Sequence, residues 1–222
     1  MKLKICGITD QANLNELMKV GTDLEYFPDY FGFISYEKSK RYVSASDVPQ
    51  LFRAISQSIK KVLVVVDISK EKLASYLQGN NFDAIQFHGD ETEFEIKEFR
   101  SKYPTITVIK AIKVESEDDL KDLEHYSECV DLFLFDAAGG NPGGNGVKFS
   151  WSSLEAYTSR VPFFLSGGIT FDDFEDVKKL AAHCPQLIGI DVNSGFEDTP
   201  GIKNSGKIKN LLRSLKDELS SQ

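Results

Sequence analysis

The sequence predicts an α/β protein built as a single (β/α)8 barrel, the TIM barrel, over residues 1–222. Short apolar runs alternate with longer amphipathic stretches of helical period along the chain. Eight apolar runs recur at a spacing of about 25 residues, which suits β-α units closing into a barrel. No linker or low-complexity segment divides them. A doubly wound open sheet is the alternative, and eight units in 222 residues leave it little room for edges and lids.

The predicted elements follow one another in a regular order. The eight strands are placed at 3–6, 30–34, 61–66, 83–87, 106–112, 131–135, 162–166 and 187–192. The helices between them are placed at 10–20, 69–78, 91–103, 116–126 and 170–182, and a last helix follows at about 205–218. Several of these helices begin with Ser, Thr or Asp and carry an acid in the first turn, which is typical of a capped helix start.

Composition excludes several classes of protein. The residues are 41% apolar, enough for a sizeable core, and the net charge of −8 argues against a nucleic-acid partner. No run approaches the length of a membrane span, and the N-terminus has no apolar signal segment. The cysteines Cys6, Cys129 and Cys184 are odd in number and lack metal-ligand spacing. We therefore expect a cytoplasmic protein with reduced thiols, no metal and no membrane partner.

Polar side chains stand where several predicted strands end. Cys6 ends the first strand, His88 follows the fourth, Asp136 follows the sixth and Asp191 lies near the end of the eighth. Active sites of such barrels lie at the C-terminal ends of the strands. We therefore expect these side chains to meet at one mouth of the barrel.

Alternation along a strand predicts which neighbours share a face. If Cys6 faces the interior, so does Lys4, and His88 shares its face with Gln86. Lys4 stands two residues, about 6–7 Å, from Cys6 along the strand, so its effect on the thiol stays open. Lys110 of the fifth strand is a further candidate for an ammonium at the mouth.

Glycines are concentrated after the last three strands. Five lie between positions 139 and 146, directly after Asp136, where a loop without side chains can approach or cover a ligand. Loops after strands seven and eight commonly hold a phosphate through backbone N–H groups. The residues predicted for that site are Gly167, Gly168, Asn193, Ser194 and Gly195.

Each candidate also has a plainer interpretation. Cys6 alone is compatible with a small buried apolar residue, Asp136 with a turn or helix-cap residue, and His88 with a structural histidine. The glycine pairs are compatible with tight turns, and the glycine-rich segment with an ordinary surface loop. Their joint placement at one barrel mouth favours the functional interpretation.

Seven motifs resemble, in order and through nearly the whole chain, the phosphoribosylanthranilate isomerase family of tryptophan biosynthesis. They are KICGIT (4–9), GFI…SKRYV (32–43), QFHGDE (86–91), KAIKV (110–114), LFDAAGG…GGNG…FSW (134–151), LSGGIT (165–170) and GIDVNSGFED…PGIKN (189–204). Two departures stand out: Lys40 where the family has proline, and Asn145 where it has threonine. They affect loop contacts more than the reaction.

The resemblance implies a cofactor-free barrel that carries out an Amadori rearrangement of N-(5-phosphoribosyl)anthranilate. Cys6 corresponds to the family's general base and Asp136 to its general acid. Arg41 corresponds to the arginine at the anthranilate end, and His88 and Asp191 are further substrate-binding candidates. The implied partner is a small phosphorylated substrate, with the protein a monomer or homodimer.

The proposed chemistry makes demands on both catalytic groups. Asp136 must be protonated when substrate binds, which desolvation favours, and Cys6 must act as a thiolate, which a lowered pKa would favour. Two other functions stay open. The histidine-pathway isomerase performs the same rearrangement with an aspartate where Cys6 stands, and a non-catalytic barrel would bind phosphate without turnover.

Overall fold

The computed structural model describes residues 1–121, 123–137 and 151–220. Within them, eight parallel strands close into a barrel in chain order, from β1 next to β2 round to β8 next to β1. The predicted (β/α)8 barrel is confirmed. The strands are β1 Lys2–Ile5, β2 Tyr30–Ile34, β3 Lys60–Val65, β4 Ala84–Phe87, β5 Thr107–Lys113, β6 Leu132–Asp136, β7 Phe163–Ser166 and β8 Leu187–Val192.

Helices cover the outside of the barrel. In the described ranges they are α1 Gln11–Leu24, α2 Val48–Phe52, α3 Lys70–Leu77, α4 Glu93–Lys102, α5 Phe174–His183 and α6 Ser205–Ser220. The short α2 was not predicted, whereas the other five overlap predicted helices. Thr92 shows why such starts are readable in sequence: its side chain and that of Glu95 cap each other's backbone N–H at the start of α4.

The helix predicted at 116–126 is wrong. The structure has two 3-10 turns there, Glu117–Leu120 and Glu124–Tyr126. The carboxylate of Asp119 accepts hydrogen bonds from the backbone N–H groups of Glu115 and Ser116 at 2.9 and 2.8 Å. This local bonding, together with three successive acids at 117–119, tightens the first turn instead of extending a helix.

The core has two layers, which follow from the alternation of side chains along each strand. One lies between the strands and the helices, and residues such as Leu3 and Ile5 of β1 belong to it. The other fills the barrel, and its buried members are Cys6, Tyr30, Val62, Val64, Ala84, Ile109, Ala111, Leu132, Leu134 and Phe164. Cys6 therefore faces the interior, as predicted.

A short hairpin follows β8. Its strands are β9 Glu197–Thr199 and β10 Ile202–Lys203, and they pair antiparallel. The hairpin lies at the barrel mouth, because Thr9 Oγ1 in the loop after β1 donates to Gly201 O at 3.0 Å. Among the helices of the described ranges, none combines the length and apolar character that crossing a membrane requires.

Candidate active site

The first and last strands place a thiol, an ammonium and a carboxylate together inside the barrel. In the β1–β8 register Lys4 lies opposite Asp191, and its Nζ donates to Asp191 Oδ2 at 2.9 Å. Both side chains are buried, and Cys6 follows on the same face with 5% of its surface exposed. A methyl group at Gly32 of β2 would lie 2.9 Å from Cys6 Sγ and 3.2 Å from Lys4 Nζ. The thiol of Cys6 and the ammonium of Lys4 therefore both lie close to the Cβ position of residue 32.

Burial and charge act in opposite directions on these groups. Burial raises the pKa of the Cys6 thiol, and the positive charges of Lys4 and Lys203 oppose that rise. Burial acts to lower the pKa of Lys4, but Asp191 and Cys6 outweigh it, so the pKa of Lys4 is raised. Lys4 is therefore an ammonium at neutral pH, and Cys6 is mainly a thiol. The pKa of Cys6 is raised, whereas a lowered pKa would assist a thiolate base.

Strands β4 and β6 bring an imidazole close to the candidate acid. His88 Nε2 lies 3.7 Å from Asp136 Oδ2, and His88 Nδ1 lies 2.7 Å from Gln86 Nε2. With Gln86 Nε2 as the donor, Nδ1 accepts and the imidazole proton is on Nε2, facing Asp136. Gln86 is fully buried inside the barrel, and its hydrogen bond to Nδ1 orients the imidazole ring of His88. The predicted pairing of Gln86 and His88 on one face is confirmed.

Asp191 is subject to opposing effects of burial and charge. Burial raises the pKa of Asp191, and the charges of Lys4, His88 and Lys203 act against that rise. The described residues thus form two polar groups, Lys4 with Asp191 between β1 and β8, and Gln86 with His88 beside Asp136 of β6.

A cleft of about 540 Å³ opens beside His88 and Asp136. Its walls come from the ends of β4, β5 and β6 and from Tyr126. This volume lies in the range of small-molecule sites. Cys6 and the loops after β7 and β8 do not line it, so the cleft represents one side of the barrel mouth.

Asp136 ends β6 with 38% of its side chain exposed. The glycine-rich segment predicted to cover it, 137–146, lies outside the described residues except for Ala137. Trp151 Nε1 donates to Ala137 O at 3.2 Å, so the two described ends of the segment are in contact. The shielding of Asp136 by this loop stays a prediction.

Arg41, in the loop after β2, is held by an ion-pair network at the mouth. Its Nε donates to Glu197 Oε1 at 2.9 Å and its Nη2 to Glu197 Oε2 at 2.5 Å. Glu197 also accepts from Lys203 Nζ at 2.6 Å and from Gly201 N at 3.0 Å. Burial alone would raise the pKa of Glu197, but Arg41, Lys203 and the Gly201 N–H outweigh it and lower that pKa to about 2.

The same network reaches β1 and β8. A methyl group at Gly7, directly after Cys6, would lie 2.7 Å from Arg41 Cδ. Arg41 therefore lies beside the candidate base. Asn193 Oδ1 accepts from Lys203 Nζ at 2.7 Å, so the side chain of Asn193 belongs to this network.

The loops after β7 and β8 pack against each other. Gly167 and Gly168 have φ of 112° and 69°, which other residues rarely adopt, and a methyl group at Gly195 would meet Ile169 O at 2.4 Å. The backbone N–H groups of Gly168, Ser194 and Gly195 donate to no acceptor within the described ranges. These two loops therefore present unpaired N–H donors side by side.

Lys110 corrects one expectation. The interior residues of β5 are Ile109 and Ala111, so Lys110 points toward the helices. Its Nζ donates to Gly89 O at 2.6 Å and to Glu91 Oε2 at 3.1 Å. Lys110 lines the cleft beside His88 but does not enter the barrel interior, because the pleat of β5 directs its even-numbered residues outward, whereas that of β1 directs them inward.

Three residues of the cluster were not assigned from sequence. Glu197 and Lys203 lie within the last motif, and their side chains are only 4% and 0% exposed. The signal in the sequence was the presence of Glu197 and Lys203 in the short segment after the eighth strand, close to the predicted phosphate loop. For Gln86, alternation along the fourth strand predicts only that it shares a face with His88. In the part of the chain that the structure describes, no three His, Cys, Asp or Glu side chains are arranged to hold a metal ion.

The family model for N-(5'-phosphoribosyl)anthranilate (PRA) isomerase matches residues 3–214. The chain belongs to the phosphoribosylanthranilate isomerase family. The isomerase of Parabacteroides distasonis is 33% identical over 216 residues, which cover 97% of this chain and 93% of that protein. That of Staphylococcus haemolyticus is 30% identical over 219 residues, covering 99% of this chain and all of that protein.

Solved structures of phosphoribosylanthranilate isomerases have the same fold. The enzyme from Thermotoga maritima is 32% identical, with a TM-score of 0.76, and the match covers 98% of this chain and 99% of that one. A second isomerase structure, 29% identical with a TM-score of 0.73 and the same coverage, contains reduced 1-(o-carboxyphenylamino)-1-deoxyribulose 5-phosphate.

Gly32 offers a test of the geometry of this candidate site. A methyl group there would lie 3.2 Å from the Cα of Cys6, which cannot move without displacing β1. We expect Gly32→Ala to lower kcat about tenfold or more, because small displacements of a reacting group are costly. Steady-state kinetics of Gly32→Ala and of Gly206→Ala, a glycine of α6 whose added Cβ would approach only the side chain of Asn204, provide the comparison. Equal losses in both variants would contradict the assignment.

Proposed function

We propose that this protein converts N-(5'-phosphoribosyl)anthranilate into 1-(2-carboxyphenylamino)-1-deoxyribulose 5-phosphate, an Amadori rearrangement of tryptophan biosynthesis. The observation that carries this proposal is the placement of a buried thiol and a partly exposed carboxylate at the ends of β1 and β6. Lys4 and Asp191 accompany the thiol, and Gln86 and His88 accompany the carboxylate. Family membership supports the same reaction.

Asp136 is the proposed general acid. It gives a proton to the ring oxygen of the aminofuranose as the C1–O bond breaks, and the lone pair of the anilino nitrogen forms the C1–N double bond of an iminium ion. The nearby Nε2–H of His88 is placed to stabilise the carboxylate that remains. Positioned proton transfer of this kind contributes roughly 10²–10⁴-fold to the rate.

Cys6 is the proposed general base. Its thiolate takes the proton from C2 of the iminium ion. The electrons of the C2–H bond form the C1–C2 double bond, and the nitrogen recovers its lone pair. The resulting enolamine then tautomerises to the ketone. One proton is delivered and one removed, so the reaction is a net isomerisation without a redox cofactor.

Asp191 is proposed to bind a sugar hydroxyl of the substrate. Its Oδ2 holds Lys4, whereas its buried Oδ1 has no partner in the described part of the chain. A buried carboxylate oxygen without a donor is unfavourable, and a ribose hydroxyl would satisfy it. Gln86 Oε1 is a second buried acceptor without a partner, on the His88 side of the barrel.

The substrate phosphate is proposed to bind between the loops after β7 and β8. Gly167 and Gly168 from one loop and Asn193, Ser194 and Gly195 from the other form the site. The donors are the N–H groups of Gly168, Ser194 and Gly195, while the Oδ1 of Asn193 accepts a hydrogen bond from Lys203 Nζ at 2.7 Å. Such donors let an acidic protein hold an anion locally.

Crystals soaked in inorganic phosphate test this assignment. We expect electron density for the anion within hydrogen-bond distance of these three N–H groups. An anion found only along the segment 139–146 would refute the proposed site.

Arg41 is proposed to bind the anthranilate end of the substrate. Glu197 occupies the Nε–Nη2 edge of the guanidinium, whereas Nη1 makes no hydrogen bond to any described residue. We expect Arg41→Ala to raise KM by about tenfold, the effect of losing one charge-assisted hydrogen bond worth roughly 1.5 kcal/mol. Arg53, an arginine in the turn after α2, is the matched control. Unchanged kinetics in Arg41→Ala would remove it from the site.

The activity itself is tested by adding the protein to freshly prepared N-(5'-phosphoribosyl)anthranilate and following the loss of its fluorescence. Thermal stabilisation by phosphate without turnover would instead favour a non-catalytic binding barrel. Turnover of the histidine-pathway aminoaldose would favour the second candidate reaction, against which the thiol of Cys6 argues.

The assembly is proposed to be a monomer or a homodimer in the cytoplasm. A Thermotoga maritima relative, 28% identical, is described as a dimeric isomerase from which monomers were generated. Light scattering of the purified protein distinguishes the two states for this chain.

A further inference from the structure

A buried lysine in the barrel has no role in the reaction proposed above. Lys4 is fully buried, its Nζ donates to Asp191 Oδ2 at 2.9 Å, and its strand neighbour on the same face is Cys6. Removing two charges from water has an effective penalty of several kcal/mol per ion, so such a pair is weak evidence of a stabilising role. Its position beside the candidate base points to a function.

We infer that Lys4 is a positioning residue that stabilises the thiolate of Cys6, with Asp191 holding the ammonium in place. The inference deepens the proposed function and rests on Cys6 being its base. The geometry supports it, because Cys6 Sγ and Lys4 Nζ lie 2.9 and 3.2 Å from the position of a Cβ on Gly32, which places the two atoms within about 6 Å of each other. A side chain at Gly32 would be in close contact with both groups.

The charges around Cys6 support the same conclusion. Lys4 lies beside it on β1 and Asp191 on β8, and Lys203 of β10 and Arg41 of the loop after β2 also act on the thiol. Glu197 binds both Arg41 and Lys203. With Cys6 as a thiol, three cations therefore face two carboxylates. Formation of the thiolate makes the cluster neutral, which offsets part of the desolvation that raises the thiol pKa.

Lys4→Met tests the inference in the substrate-free protein. The thiolate of Cys6 is titrated by its ultraviolet absorbance, with Cys6→Ala measured in parallel to subtract Cys129 and Cys184. We expect the pKa of Cys6 in Lys4→Met to rise enough that its thiolate fraction falls at least about tenfold at a given pH, one pKa unit. This titration requires no turnover, so it succeeds or fails independently of the proposed reaction.

Lys110→Met is the matched control. Lys110 is also a buried strand lysine paired with a carboxylate, Glu91, but it lies on the outer face of the barrel. We expect it to lose stability as Lys4→Met does and to leave the titration of Cys6 unchanged. If Lys4→Met fails to fold, Lys4→Met/Asp191→Asn removes the carboxylate that the single change leaves unpaired. Its titration is compared with that of Asp191→Asn, because Asp191 also acts on the thiol.

Kinetics give a second readout. If Lys4 stabilises the thiolate of Cys6, the kcat of Lys4→Met falls at neutral pH and recovers toward that of the unmodified protein at higher pH. A purely structural lysine would lower the melting temperature without shifting the pH profile. A Cys6 titration in Lys4→Met that matches that of the unmodified protein would overturn the inference.

Discussion

Replacement of Asp136 by asparagine is expected to lower kcat by at least about a hundredfold, the low end for loss of a general acid. The amide keeps the shape of the side chain at the end of β6 but cannot deliver a proton to the ring oxygen. Because Asp136 is 38% exposed and only approached by His88 at 3.7 Å, its removal leaves the core intact. KM is therefore expected to change only a few-fold.

Asp90 provides the control for this variant. It is another carboxylate on the wall of the same cleft, after β4, and Asp90→Asn removes the same charge from it. Steady-state kinetics by fluorescence should show a large loss of kcat for Asp136→Asn and little change for Asp90→Asn. A near-normal kcat in Asp136→Asn at saturating substrate would make Asp136 a turn residue, and the acid would then lie elsewhere at the barrel mouth.

Cys6→Ala is expected to reduce kcat by a similar factor, again at least about a hundredfold, because no other group at the end of β1 can take the C2 proton. The expected loss in the Cys6→Ala/Asp136→Asn double variant is smaller than the product of the single losses, since residues that act as a unit are non-additive. Steady-state assays at saturating substrate measure kcat of the single variants and of the double variant.

The pH dependence of the unmodified protein follows from the direction of the thiol pKa. Burial raises that pKa, so the thiolate fraction of the free protein increases as the pH rises toward it. Because the mechanism also requires Asp136 in its acid form, we expect kcat/KM to follow a bell-shaped dependence on pH, with one limb set by the thiol of Cys6. Cys129→Ala is the matched control, since Cys129 is a buried thiol in the outer core layer. If Cys6→Ala lost no more activity than Cys129→Ala, the base would have to be sought elsewhere.

Much of the architecture was predictable because its signals are local. Each strand is a short apolar run, and alternation along β1 alone places Lys4 and Cys6 on one face. Helix starts such as that of α4 carry their caps in sequence. The segment 116–126 was not predictable in the same way, since the hydrogen bonds of Asp119 override a pattern that otherwise suits a helix.

The sequence by itself determined the eight strands, the face of β1 and the residue types at the strand ends. Only the tertiary structure decided which of them meet. Lys4 pairs with Asp191 across 187 positions of sequence, and Arg41 with Glu197 across 156. These contacts depend on the register in which β1 and β8 close the barrel and on the fold of the hairpin after β8. The outward direction of Lys110 depends likewise on the pleat of β5 within the closed sheet. Local patterns encode which side chains share a strand face, but the direction of that face and its partners are properties of the packed barrel.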